Sequence, residues 1–235
     1  GGGVVDVLPV TDFDAGGYVA MATAEGKIKK TPLDDFGNRG NGGIIAVDVA
    51  ADDSLIGACW TSGEDHIVMG TRGGRMIRFS EDDVRPMGRN AAGVKGISPR
   101  SGDSVADISV VPGGDEEHVL LTVCENGYGK LTEVSEYPLQ GRGGQGVIGV
   151  RTPPRNGELV ALSCLRGDEQ LMMITRGGQI VRIPADSISR MGRSTQGVRL
   201  MRTEEGDTVT SVVRLDAEED EDEEADEEGA DDGAE

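Results

Sequence analysis

The chain has 235 residues, 37 of them glycine, with 3% aromatic residues and a formal net charge of −20. Few aromatics argue against a reader of single-stranded nucleic acid, which stacks bases on aromatic platforms. Cys59, Cys124 and Cys164 form no CxxC pair and read as small buried apolar residues rather than as a disulfide set or a zinc site. No apolar run approaches the roughly 20 residues of a membrane span, and no charged-then-apolar leader opens the chain, so a soluble, cytoplasmic protein without a membrane partner is expected.

The charge is unevenly placed. Of the 43 acids, 14 fall in residues 216–235, which contain no base, and the first 215 residues carry 29 acids against 23 bases. A mildly acidic body, 1–215, therefore precedes an acidic tail, 216–235, that has no large apolar residue to bury and is expected to be disordered. The bases are 18 Arg and 5 Lys. Low Lys with excess acid points to a salt-adapted source, for which stability should rise toward molar potassium chloride.

In chain order, Val4–Val10 reads as the last strand of a preceding unit, which suggests that the chain starts within an array. Unit one then gives the strand Tyr18–Thr23, a turn at Gly26, a return strand from Lys27, and another strand at Ile44–Val47. Unit two gives His66–Thr71, the turn Arg72–Gly74, Met76–Phe79, Val94–Ile97 and Asp103–Val111. Unit three gives Val119–Val123, Asn126–Gly127, Tyr128–Leu131 and Val147–Val150. Unit four gives Leu171–Thr175, Gly177–Gly178, Gln179–Ile183 and Val198–Met201. Each hairpin follows from two apolar runs joined by glycine. Helical periodicity is absent almost throughout.

Two glycine markers run in step through these units. Gly26, Gly74, Gly127 and Gly178 mark the hairpin turns. Gly43, Gly93, Gly146 and Gly197 each follow an Arg by four residues: Arg39, Arg89, Arg142 and Arg193. The intervals of 50, 53 and 51 residues between the second set indicate a blade array. The expected fold is all-β and propeller-like, with about four four-stranded repeats bounded near 11–60, 61–112, 113–165 and 166–215.

The bases recur in register with the markers. Lys27, Lys29, Lys30, Arg75, Arg78, Lys130 and Arg182 follow the hairpin glycines, and Arg39, Arg89, Arg142 and Arg193 precede the second glycines. Equivalent places on each blade would form a basic band along one rim. Duplex DNA presents a charge about every 1.7 Å of axis, so a curved series of cations suits it. Pairing with nearby acids such as Asp34, Asp35, Asp82 and Asp83 is the plainer alternative.

Other constellations carry less. Gly141, Gly143 and Gly146 have GxGxxG spacing, but a strand follows where a dinucleotide site needs a helix. No Walker lysine motif occurs, so any ATP belongs to a partner. His66 and His118 are strand-start residues, Trp60 is expected at a blade interface, and no catalytic residue stands out.

Several segments taken together carry a family resemblance. They are Ala20–Thr31, Glu125–Lys130, Met172–Arg182 and Met191–Thr203, and they resemble the C-terminal domain of DNA gyrase A, a type IIA topoisomerase, over roughly residues 4–215. The resemblance implies a β-pinwheel whose neighbouring blades exchange strands, and a role in wrapping duplex DNA during ATP-dependent negative supercoiling. It implies as partners duplex DNA, the rest of gyrase A, and gyrase B. It implies no cofactor in this chain, with ATP and magnesium elsewhere in the holoenzyme. Three features depart from the family pattern: about four blades in place of six, no DNA-cutting domain, and no first-blade heptad Gln-Arg-Arg-Gly-Gly-basic-Gly, which Gln140–Gly146 echoes without two of its bases. The equivalent domain of topoisomerase IV and a protein-binding scaffold without a DNA role are the alternatives.

Overall fold

The computed structural model describes residues 4–37 and 43–215; Arg39 and the acidic tail lie outside them. Its strands follow the glycine markers. The first unit forms β1 (Tyr18–Thr23), β2 (Lys27–Pro32) and β3 (Leu55–Thr61). The second forms β4 (His66–Thr71), β5 (Arg75–Ser80), β6 (Val94–Lys95) and β7 (Val105–Val111). The third forms β8 (Val119–Cys124), β9 (Tyr128–Glu133), β10 (Val147–Ile148) and β11 (Leu159–Leu165). The fourth forms β12 (Gln170–Thr175), β13 (Ile180–Pro184), β14 (Val198–Arg199) and β15 (Val209–Leu215). Among the described residues no helix is long and apolar enough to cross a membrane.

These strands make four small antiparallel sheets arranged as the blades of a propeller, with orders β3-β1-β2-β6, β7-β4-β5-β10, β11-β8-β9-β14 and β15-β12-β13. The strands β3, β7, β11 and β15 pack on one another in turn and line the axis. In the first three blades the opposite, outer strand comes from the next unit: β6 pairs with β2, β10 with β5 and β14 with β9. Blades therefore exchange strands, as the resemblance implies. The first three sheets have four strands and the fourth has three.

Two expected strands are not strands. Residues 4–10 and 44–47 have no assigned secondary structure. Residues 44–47 hold the position of an outer strand, and such a strand needs the hairpin of the preceding blade to pair with. Residues 4–10 occupy the place of an inner strand without its ladder. Asp6 Oδ2 accepts from the Ala58 N–H on β3 at 2.9 Å, as Asp107 Oδ2 on β7 accepts from the Leu162 N–H on β11 at 2.8 Å.

The core lies between blades. Ala20, Ile28, Ile67, Met69, Ile77 and Phe79 join the first and second. Val68, Met76, Leu120, Tyr137 and Leu162 join the second and third. Val119, Leu121, Leu131, Leu171 and Met173 join the third and fourth. The middle strands are buried on both faces, so they read as continuous apolar runs rather than alternating ones. In β4, Ile67 and Met69 face one interface while Val68 faces the other. Trp60 departs from its expected interface position: it is 44% exposed, and its Nε1 donates to Gly16 O at 3.3 Å.

Candidate nucleic-acid interface

Four of the bases assigned to the rim are inside the protein. Lys29, Lys30, Arg78 and Lys130 expose 3% or less of their surface. Their position on the middle strands β2, β5 and β9 is the reason, because both faces of those strands are covered: by neighbouring blades at β5 and β9, and at β2 by the second blade on one face and by Leu8, Val10, Ala46 and Val47 on the other. The charged heads are satisfied there. Lys29 Nζ donates to Ala46 O at 2.9 Å, Gly88 O at 3.0 Å and Arg89 O at 2.5 Å. Lys130 Nζ donates to Gly192 O at 2.7 Å, Arg193 O at 2.6 Å and Thr195 Oγ1 at 3.2 Å. Each lysine thus fastens the Arg–Gly loop of the following unit. Loss of water pulls the Lys130 ammonium down to about 8, and Arg193 adds to the shift while Glu136 opposes it.

Lys30 and Arg78 are tied to acids. Lys30 Nζ lies 3.1 Å from Glu81 Oε2 and 4.6 Å from the centre of the Tyr18 ring. Glu81 is itself buried and accepts from Thr61 Oγ1 and the N–H groups of Gly63 and Asp65. Arg78 contacts Glu116 at 2.6 Å and donates to the carbonyls of Val134 and Tyr137. The pairing alternative thus holds for these two bases, with Glu81 and Glu116 as the partners rather than the turn aspartates.

The bases that face outward are Lys27, Arg75, Arg89, Arg142, Arg182 and Arg193, each partly or fully exposed. Three of them share one geometry. Arg89 Nη1 donates to Ile45 O at 3.3 Å, Arg142 Nη1 to Lys95 O at 3.0 Å, and Arg193 Nη1 to Ile148 O at 2.7 Å. Each acceptor lies two residues past the second glycine marker of the unit before. The Arg of the repeated phrase therefore caps the outer-strand segment of the preceding unit. A carbonyl partner leaves the positive charge intact, whereas a carboxylate would cancel it.

Strand exchange then gathers the charges. Lys27 on β2 faces Lys95 on β6 in the ladder, and Arg142 reaches the carbonyl of that Lys95. One blade further on, Arg75 faces Ile148, whose carbonyl holds Arg193. Arg75 also donates to the carbonyls of Gln145 and Gly146. On the third blade Tyr128 faces Arg199, whose guanidinium donates to the Tyr128 hydroxyl at 2.7 Å; Arg155 and Arg199 both lie over the Tyr128 ring, at 5.3 and 5.2 Å. The outer edge thus carries a cationic group on each of three successive blades. Lys95, Arg155 and Arg199 were missed from sequence. Lys95 and Arg199 were legible as the second residue after Gly93 and Gly197, which is where β6 and β14 place them.

Elsewhere the edge is neutralised. Arg72 lies 2.7 Å from Glu158 and Arg190 lies 3.0 Å from Glu133. No cluster of potential metal ligands occurs among the described residues. Cys124 and Cys164 are buried free thiols, pushed up to about 12 by desolvation, and serve as core residues.

A family model described as the DNA gyrase C-terminal domain, beta-propeller, matches residues 17–58, 65–112, 118–166 and 169–216. The DNA gyrase A protein of Klebsiella oxytoca is 45% identical over 209 residues, which is 89% of this chain and 24% of that protein. The gyrase A protein of Haloquadratum walsbyi is 44% identical over 201 residues, 86% of this chain and 23% of that protein. The chain thus spans about a quarter of the length of these curated relatives. Among solved structures, "Structure of DNA gyrase A C-terminal domain" superposes with a TM-score of 0.81 at 24% identity, covering 89% of this chain and 69% of that one. "Crystal structure of the C-terminal domain of DNA topoisomerase IV" gives a TM-score of 0.81 at 23% identity, covering 90% and 65%. With a matched model repeating over all four blades, the chain belongs to the DNA gyrase C-terminal domain family.

Proposed function

We propose that this chain binds duplex DNA along the outer edge of its blades and bends it, as the wrapping part of an ATP-dependent gyrase working in the cytoplasm with the rest of gyrase A and with gyrase B. The observation that carries this reading is the repeated cationic group of the outer edge: Lys27, Lys95 and Arg142, then Arg75 and Arg193, then Arg155 and Arg199. A duplex bent around such an edge meets a cation at each blade, and phosphate contacts of this kind position DNA without reading its sequence. Arg89 and Arg182 extend the edge at its two ends, and Arg39 belongs to the same repeat position. In this reading the body, 1–215, is the wrapping domain of four repeats. The tail, 216–235, competes with DNA for the cations. ATP and magnesium belong to other parts of the holoenzyme.

The topoisomerase IV domain is the second reading, supported by its equal TM-score. Identity to gyrase A proteins of up to 45% favours the first. The test is a mobility shift on a duplex of about 100 base pairs across a salt series. The logarithm of affinity should fall linearly with the logarithm of salt, by about 0.9 for each phosphate contact. No binding at low salt would overturn the DNA reading and leave a protein-binding scaffold.

A further inference from the structure

The loop that carries Arg193 crosses over β9 of the third blade. Its ends are tied by main-chain bonds: the Met191 N–H donates to Leu131 O at 2.8 Å, and Thr195 O accepts from the Arg151 N–H at 2.9 Å. Its middle rests on Lys130. That side chain is fully buried, and its ammonium donates to Gly192 O, Arg193 O and Thr195 Oγ1. Arg193 is held from two further sides. Its N–H donates to Glu136 Oε2 at 2.8 Å, and its Nη1 donates to Ile148 O. The main chain of an edge arginine is therefore fixed from within the protein by a second cation.

Comparison of the blades separates this device from what a blade needs to fold. Lys29 repeats it on β2, bonding Gly88 O and Arg89 O of the next loop. On β5 the equivalent residue, two past the one that faces the outer strand, is Ile77, and it is just as buried. The Arg142 loop over it is tied by other groups: the Gly143 N–H donates to Gly96 O at 2.6 Å, and the Ser98 N–H donates to Gly144 O at 2.8 Å. A blade thus closes with an aliphatic side chain at this place. Burying an ammonium instead costs solvation, which its hydrogen bonds must offset. Those bonds go to the arginine-bearing loop and not to the strands of the blade.

We infer that Lys130 is a positioning residue for duplex binding: its charged head fixes the main chain of the Arg193 loop and so aims the Arg193 guanidinium at a phosphate of the bound DNA. This role rests on duplex binding at the outer edge, as proposed for the function, and it makes that binding sensitive to pH. Burial brings the ammonium down to about 8. The charged and titratable groups around it are Glu136, Arg193 and the Cys124 thiol, and the thiol, pushed up to about 12, stays protonated throughout. Above about pH 8 the neutral amine replaces the ammonium, and its charge-assisted bonds to the two carbonyls weaken. A phosphate drawn to the edge favours the charged form, so DNA binding and protonation of Lys130 reinforce each other. Folding responds with the opposite sign, because burial favours the neutral amine. A lysine that served folding alone would not lower DNA affinity at high pH.

The test measures affinity for a duplex of about 100 base pairs at fixed salt, from about pH 7 to about pH 9. It compares the whole chain with Lys130→Met, Arg193→Gln and the double variant, with thermal unfolding as the control for folding. Wild-type affinity should fall as pH rises. Lys130→Met should bind about threefold or more weakly at pH 7 and show a flatter pH profile. In the Arg193→Gln background the same substitution should lose most of its effect, because the lysine acts through the arginine. A wild type that binds no duplex overturns the DNA reading and this role together. A wild type that binds, with Lys130→Met matching it at every pH, overturns this role alone. So does a Lys130→Met effect undiminished in Arg193→Gln, which would mean that the ammonium acts by its own charge. The wild-type profile decides without any variant as well: an affinity that stays flat or rises toward pH 9 overturns the inference.

Discussion

At the scale of single residues, buried charges set the response to pH. Asp107 lies at the axis, and desolvation pushes its carboxyl up to about 7 against the hydrogen bonds from the Leu162 and Ile108 N–H groups; the nearby Asp6 adds to the rise. In the unfolded chain the same carboxyl titrates near its ordinary value of 3.8. Between pH 4 and 7 the folded form therefore holds more protons, and its stability falls as pH rises through that window. Asp107→Asn should flatten this slope in denaturant midpoints taken from pH 4 to 7. Lys130 has the opposite sign. Its folded value of about 8 lies below the ordinary 10.5, so the unfolded chain holds the extra proton and stability rises with pH between these values. Lys130→Met should remove that rise. It should also cost about 1–3 kcal/mol at pH 7 by removing the charge-assisted hydrogen bonds to the carbonyls of Gly192 and Arg193.

These lysines also show where the sequence was ambiguous. Lys27, Lys29 and Lys30 are nearly adjacent, and their residue types gave no sign that Lys27 faces outward while Lys29 and Lys30 enter the core. Each long side chain carries enough methylene to cross an interface and enough charge to bond several carbonyls at its end. Only the fixing of both sheet faces decides between rim and staple.

At the scale of elements, the exchanged strand is short but closely fitted. Gly74 adopts a φ of +79°, and the carbonyl of Val150 lies where its Cβ would stand. Gly178 has a φ of +87° and open space around it. Alanine at either position incurs backbone strain of about 1–3 kcal/mol. Only Gly74→Ala also forces the outer strand away. Denaturant unfolding should therefore show Gly74→Ala to be clearly the more destabilising of the two, and equal losses would mean that the outer strand contributes little. The hairpins themselves were legible, because an apolar run, a glycine turn and a second apolar run suffice to form one. The failures at Val4–Val10 and Ile44–Val47 have a common cause. Their patterns match those of real strands, but a strand also needs a partner edge, which a local pattern cannot supply.

At the scale of the molecule, charge is arranged against its own average. A body with an excess of acid still presents cations on its outer edge, because acids elsewhere pair with Lys30, Arg72, Arg78 and Arg190. Replacing Lys27 and Lys95 together by Glu should weaken duplex binding at least about tenfold and lower the salt slope by about 2, with little change in unfolding. A full loss of folding instead would mark these positions as structural. Removing residues 216–235 takes away 14 acids. If the tail competes for the edge, affinity should rise several-fold at low salt and converge with that of the whole chain at high salt. An unchanged affinity would leave the tail no part in DNA release.

The borrowing of each outer strand from the following unit also bears on how the protein is made. A hairpin such as β1–β2 is finished only when β6 has been synthesised, by which time the second hairpin has already emerged. During translation the newest blade is thus always unsealed, and each blade is closed by the arrival of its successor. Maturation runs in one direction along the chain, one unit behind the ribosome.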